Sequence, residues 1–162
     1  MQRKMVGFSP ATGGVVSGDG ALNLAENNLS SSLPSCFSPL LSRHVHLSKN
    51  KLQGQLKDAF FNSSHLVTLD LGYSCFDGII PTWIGRISRL TYLFLSNNNL
   101  DGEVPTQLCQ LNQIRLVDLS HNNHSGYIPS CLNFTALQSS DQEVENLAKL
   151  GSRSNGNIPH WS

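Results

Sequence analysis

The sequence predicts a right-handed α/β-type repeat solenoid with a short parallel sheet on its concave side and irregular or 3₁₀ turns on its convex side. Two observations predict it: five segments align without gaps, and each alternates apolar residues before a turn where asparagine and glycine recur in four of the five. The segments read LNLAENNLSSSLP from Leu22, VHLSKNKLQGQLK from Val45, LDLGYSCFDGIIP from Leu69, LFLSNNNLDGEVP from Leu93 and VDLSHNNHSGYIP from Val117. Their starts lie 23, 24, 24 and 24 residues apart. A repeat of this length is one supersecondary unit of a stacked array.

Each column has a physical task. The leading pairs Leu22/Leu24, Val45/Leu47, Leu69/Leu71, Leu93/Leu95 and Val117/Leu119 alternate with period two, so both members face one side of a short strand. A second apolar column holds Leu29, Leu52, Phe76 and Leu100, then departs to His124; a third holds Leu33, Leu56, Ile80, Val104 and Ile128. One repeat cannot close the core these columns imply, but stacked neighbours can.

The asparagine column is Asn27, Asn50, Asn98 and Asn122, with Ser74 as the exception. A carboxamide both donates and accepts, so an inward asparagine can satisfy backbone groups where the chain leaves the strand. Gly54, Gly78, Gly102 and Gly126 mark a turn needing positive φ, with Ser31 in the first repeat. Pro34, Pro81, Pro105 and Pro129 fix φ as the chain heads for the convex side, where Lys57 stands in the second repeat. There the pairs Ile84/Ile87 and Leu108/Leu111, three residues apart, suit a short 3₁₀ turn.

The flanks lack this period. Residues 1–20 read as a non-repeat, disordered arm, residues 21–134 as about five repeats, and residues 135–162 as a tail with a short helix at 139–150. No apolar run reaches the roughly 18 residues of a membrane helix, and the N-terminus lacks the apolar stretch of a secretory signal.

Within the 162 residues, 11 basic side chains balance 11 acidic ones. A neutral chain offers no electrostatic footprint for nucleic acid. No nucleophile elbow or phosphate loop occurs, and Asp70 and Asp118, two repeats apart, have no enclosed pocket implied around them. No catalysis, no cofactor and no metal are expected, since His44 and His46 have no third ligand at metal-site spacing.

The stretch Leu90 to Pro105 keeps the pattern LxxLxLSxNxLxGxIPxx, whose Gly-x-Ile/Val-Pro ending is typical of a plant subclass. The chain thus resembles the C-terminal repeats of a plant extracellular leucine-rich-repeat receptor-like protein. "LCQL" from Leu108 and "IPSCL" from Ile128 resemble the region before the non-repeat island of such receptors. The resemblance implies a truncated piece of a recognition module at the cell surface, serving defence or development. Its partners would be a peptide, protein or glycan ligand and a co-receptor kinase. A secreted inhibitor of a wall-degrading enzyme and a nonfunctional receptor fragment are the alternatives.

Recognition would use strand residues turned away from the core. His46, Asp70, Phe94 and Asp118 share one column, Tyr92 stands in the preceding column, and Tyr73 lies just beyond the strand. Exposed aromatics are frequent binding hot spots. Sequons at Asn28, Asn62, Asn123 and Asn133 mark glycosylation positions. Cys109 and Cys131 fall on convex segments of adjacent repeats and could pair, while Cys75 is expected free.

Overall fold

The computed structural model describes residues 20–132, apart from Ser35, Cys36, Ser38, Leu40 and Lys57. The arm before Gly20, the helix expected at 139–150 and the sequon at Asn133 lie outside the described residues.

The chain runs through β1 (Ala21–Asn23), β2 (Ser30–Ser31), β3 (His44–His46) and β4 (Lys51–Gln55), then a 3₁₀ turn at Asp58–Phe60. It continues through β5 (Thr68–Asp70), β6 (Cys75–Ile79), a 3₁₀ turn at Thr82–Arg86, β7 (Tyr92–Phe94) and β8 (Asn99–Glu103). A third 3₁₀ turn at Thr106–Gln110 precedes β9 (Leu116–Asp118) and β10 (Asn123–Ser125). The odd strands form one parallel sheet in the order β1-β3-β5-β7-β9, and the even strands a second in the order β10-β8-β6-β4-β2. The solenoid expected from the period is therefore present, with a second sheet where the sequence had suggested only a turn.

That second sheet explains the glycine column. Gly54, Gly78 and Gly102 lie inside β4, β6 and β8 at φ of 82°, 73° and 68°. Each left-handed residue bends its strand without leaving the ladder. Ser31 holds the same position in β2 at φ 84°. A Cβ on Gly102 would meet Ile79 Cγ2 at 2.8 Å, so the Ile79 side chain of the preceding repeat would have to shift to admit it.

The core fills the space between the sheets and the 3₁₀ turns. Val45, Leu69 and Leu93 point inward from the first sheet, Leu52, Phe76 and Leu100 from the second, and Phe60, Ile84 and Leu108 from the turns. Phe37, Phe60 and Trp83 form an aromatic run, with ring centroids 5.6 and 6.5 Å apart. Pro81 and Pro105, at φ −72° and −68°, stand just before the two later 3₁₀ turns, as a fixed extended φ permits. Cys109, in the last of these turns, is bonded to Cys131, with their Cα atoms 5.6 Å apart.

Asn50, Asn98 and Asn122 each stitch one repeat to the one before it, whereas exposed Asn27 bonds only within its own repeat. Asn98 Oδ1 accepts the Phe76 N–H at 2.9 Å, while its Nδ2 donates to the carbonyls of Leu71, Leu95 and Ser96. Asn50 makes the same set with Leu29, Leu24, Leu47 and Ser48. Asn122 repeats it with Leu100, Leu95, Leu119 and Ser120. These buried amides sit where the chain passes from the first sheet to the second, so one side chain serves both sheets. At Ser74 the buried hydroxyl has no partner, because its shorter side chain lacks the amide's reach.

Candidate recognition face

Outward residues of the first sheet are set by the alternation around Val45, Leu69, Leu93 and Val117. Register aligns His44, Thr68, Tyr92 and Leu116 in one row, and His46, Asp70, Phe94 and Asp118 in the next. Parallel strands about 4.8 Å apart bring successive members of a row into contact range. The structure thus places five of the six predicted recognition residues in two adjoining rows. Most are half-buried by their neighbours, whereas Tyr92 is exposed.

Much of the face is cross-linked by hydrogen bonds. His44 Nδ1 lies 3.0 Å from Thr68 Oγ1. The Ser48 hydroxyl donates to Asp70 Oδ2 at 2.6 Å, and His46 Nδ1 lies 3.6 Å from the same oxygen. Asp70 Oδ1 accepts the Gly72 N–H at 3.2 Å. Asp118 Oδ1 accepts both the N–H and the hydroxyl of Ser120, at 3.1 and 2.7 Å. Asn23 accepts the Ala25 N–H in the same way. This side-chain bond to the backbone two residues on shapes the exit from the strand, which is why short polar residues recur there. The two aspartates therefore have a structural task as well as an outward position.

Tyr73 lies off the strand. Glu26, Lys49, Tyr73, Asn97 and His121 occupy one column, all with φ between 53° and 56°. A left-handed residue before each asparagine position turns the chain from the first sheet toward the second. Such a φ is uncommon for a bulky residue, and the sequence shows no glycine to announce it. Tyr73 remains 57% exposed and caps the edge of the face. In the same column Lys49 Nζ donates to Glu26 at 2.6 Å. Hydrogen bonding and the opposite charge lower the Glu26 pKa and raise that of Lys49.

The three sequons among the described residues lie elsewhere. Asn28 precedes β2 and Asn123 opens β10, both exposed and at the same repeat position, and exposed Asn62 follows the first 3₁₀ turn. Cys75 opens β6 in the column of Asn28 and Asn123; it is exposed and free. No group of three or more His, Cys, Asp or Glu residues is placed to hold a metal among the described residues. No helix among them is long and apolar enough to cross a membrane.

His124 is a feature the sequence marked only as a break in a leucine column. It is buried, and both ring nitrogens lack a well-formed hydrogen bond. Burial lowers its pKa, partly opposed by the backbone at Gly102 and Asp101 and by the Asp101 charge.

Leucine-rich-repeat family models match residues 42–100 and 21–40. Over 37 residues the chain is 54% identical to Cuscuta receptor 1 of Solanum lycopersicum, covering 23% of this chain and 3% of that protein. It is 34% identical to a chain of the BIR3–SERK2 complex of Arabidopsis thaliana, with a TM-score of 0.67, covering 74% of this chain and 63% of that one. Against the Arabidopsis receptor kinase HAESA, solved with the peptide hormone IDA and the co-receptor SERK1, identity is 29% and the TM-score 0.66. That match covers 78% of this chain and 20% of the other. The chain therefore spans only a part of the receptors it resembles.

Proposed function

We propose that this chain, a leucine-rich-repeat solenoid similar to plant receptor ectodomains, is a recognition segment of a cell-surface receptor-like protein. Its first sheet binds a peptide, protein or glycan ligand, and a co-receptor kinase is a second partner. The reading is non-catalytic and places the chain outside the cell, in defence or development signalling.

The observation that carries this reading is the pair of aligned outward rows, with Tyr92 and Phe94 side by side on β7. Aromatic side chains supply large contact area for little conformational entropy. Their neighbours are already held by the bonds from Ser48, Thr68 and Ser120, so little ordering remains on binding. The exposed sequon asparagines Asn28, Asn62 and Asn123 stand away from these rows, so glycans there would leave the sheet open.

Short displayed peptides selected on the immobilised chain test the proposal. Replacing Tyr92 and Phe94 together by alanine should weaken a selected binder by about tenfold or more, the ordinary loss at a hot spot. Replacing Ile79 and Tyr127, exposed on the second sheet and after it, should leave the affinity unchanged. The opposite pattern would place recognition on the second sheet.

A further inference from the structure

We infer that the ligand presents a basic side chain, arginine or lysine, to Phe94 between Asp70 and Asp118. The inference deepens the recognition reading and rests on it. The register sets Phe94 directly between the two aspartates, one on each neighbouring strand. At the spacing of parallel strands, the Cα of each aspartate stands about 5 Å from that of Phe94 along the row. An aromatic face attracts cations through its quadrupole, and flanking carboxylates add to the attraction. A guanidinium can stack on a ring and donate to a carboxylate at once, while its aliphatic stem covers apolar surface such as that of Tyr92.

Both carboxylates are held in place before any ligand arrives. Each fixes Oδ1 on a backbone N–H two residues on. Asp118 Oδ2 has no partner among the described residues, whereas Asp70 Oδ2 already holds the Ser48 hydroxyl. Among the described residues, no lysine or arginine stands in the row itself. Lys49 is engaged by Glu26, His46 stands on the far side of Asp70, and Arg43 and Arg115 precede β3 and β9 by one position. An acidic side chain laid along this row would meet like charge on both sides of the ring.

Displayed peptide pools that differ only in one fixed residue, Arg, Lys, Gln or Glu, test the inference on the intact chain. The Arg and Lys pools should be retained above the Gln pool, and the Glu pool least. In a binder isolated from the Arg pool, changing that Arg to Gln should weaken binding by about tenfold. With Asp70→Asn and Asp118→Asn together, the same change should matter by less than about threefold. Asparagine keeps the oxygen that accepts the backbone N–H, so the strand exits stay intact, and an unchanged melt confirms it.

Equal or better retention of the Gln or Glu pool, with binding still lost on replacing Tyr92 and Phe94, overturns the cationic inference and leaves the recognition reading standing. Failure of every pool, or binders indifferent to Tyr92 and Phe94, overturns both.

Discussion

The two sheets are made by the same five repeats, yet they treat their outward side chains differently. On the first sheet, neighbouring repeats bond to one another across the face, as Ser48 does to Asp70 and His44 to Thr68. On the second, Ile79 is 60% exposed, and Tyr127, just past β10, is 83% exposed. The second sheet's regularity comes instead from its backbone, through glycines at positive φ that let one repeat lie close on the next. One face is preorganised by side chains and the other is shaped by main chain. A surface of the first kind is suited to recognition, because its chemistry varies from repeat to repeat while its geometry does not.

The asparagines join the two sheets, so the largest effect should come from breaking that seam. Asn98→Ala leaves the Phe76 N–H and the Leu71 carbonyl buried without this partner, and should lower stability by about 2 to 4 kcal/mol. Ser74→Ala removes a hydroxyl that makes no bond, and should change stability by less than about 0.5 kcal/mol. Urea unfolding of both variants measures the difference; equal losses would mean that the amide ladder is not what joins the sheets.

The second sheet alone should respond to Gly102→Ala. A side chain there meets Ile79 and adopts φ 68°, which should cost about 1 to 2 kcal/mol. An unchanged melting temperature would show that the second sheet yields more readily than its backbone geometry implies.

Ser74→Asn restores the missing rung. It should raise stability by about 1 kcal/mol, the net worth of a buried hydrogen-bond set that forms without strain. A loss of stability on thermal unfolding would show that the chain around Tyr73 cannot accept the longer side chain.

His124 gives the smallest and most conditional effect. Burial favours its neutral form, so its folded pKa lies below the ordinary 6.5. Between those two values the unfolded chain binds more protons, and stability falls as pH drops below about 6.5. Above that pH the group adds no pH dependence. His124→Leu should flatten this part of the stability profile; an unchanged slope would assign it to another group.

The repeat was legible because its columns are local. Alternation around Leu93, the asparagines at one phase and the prolines after each repeat each follow from one segment's own chemistry. The 3₁₀ turns were also legible, from Ile84/Ile87 and Leu108/Leu111 three apart. The second sheet was not, since KLQGQ and NLDGE read as turns when glycine is taken alone, and only stacking turns them into strands. The left-handed column through Lys49, Tyr73 and Asn97 was hidden for the same reason: no residue type there announces it. Positions on the recognition face followed from alternation, but the bonds from Ser48 to Asp70 and within Asp118–Ser120 depend on rotamers that the sequence does not carry. The burial of His124 without a good partner likewise appears only once Gly102 and Asp101 are brought beside it.

The most direct test of a recognition face on the first sheet is an amide chemical-shift map of the isotope-labelled chain titrated with a peptide selected on it. The account predicts shifts concentrated at β5, β7 and β9, strongest around Tyr92, Phe94 and Asp118, and weak at Ile79 and Glu103. Shifts concentrated on β6, β8 and β10, with Tyr92 and Phe94 unmoved, would contradict it.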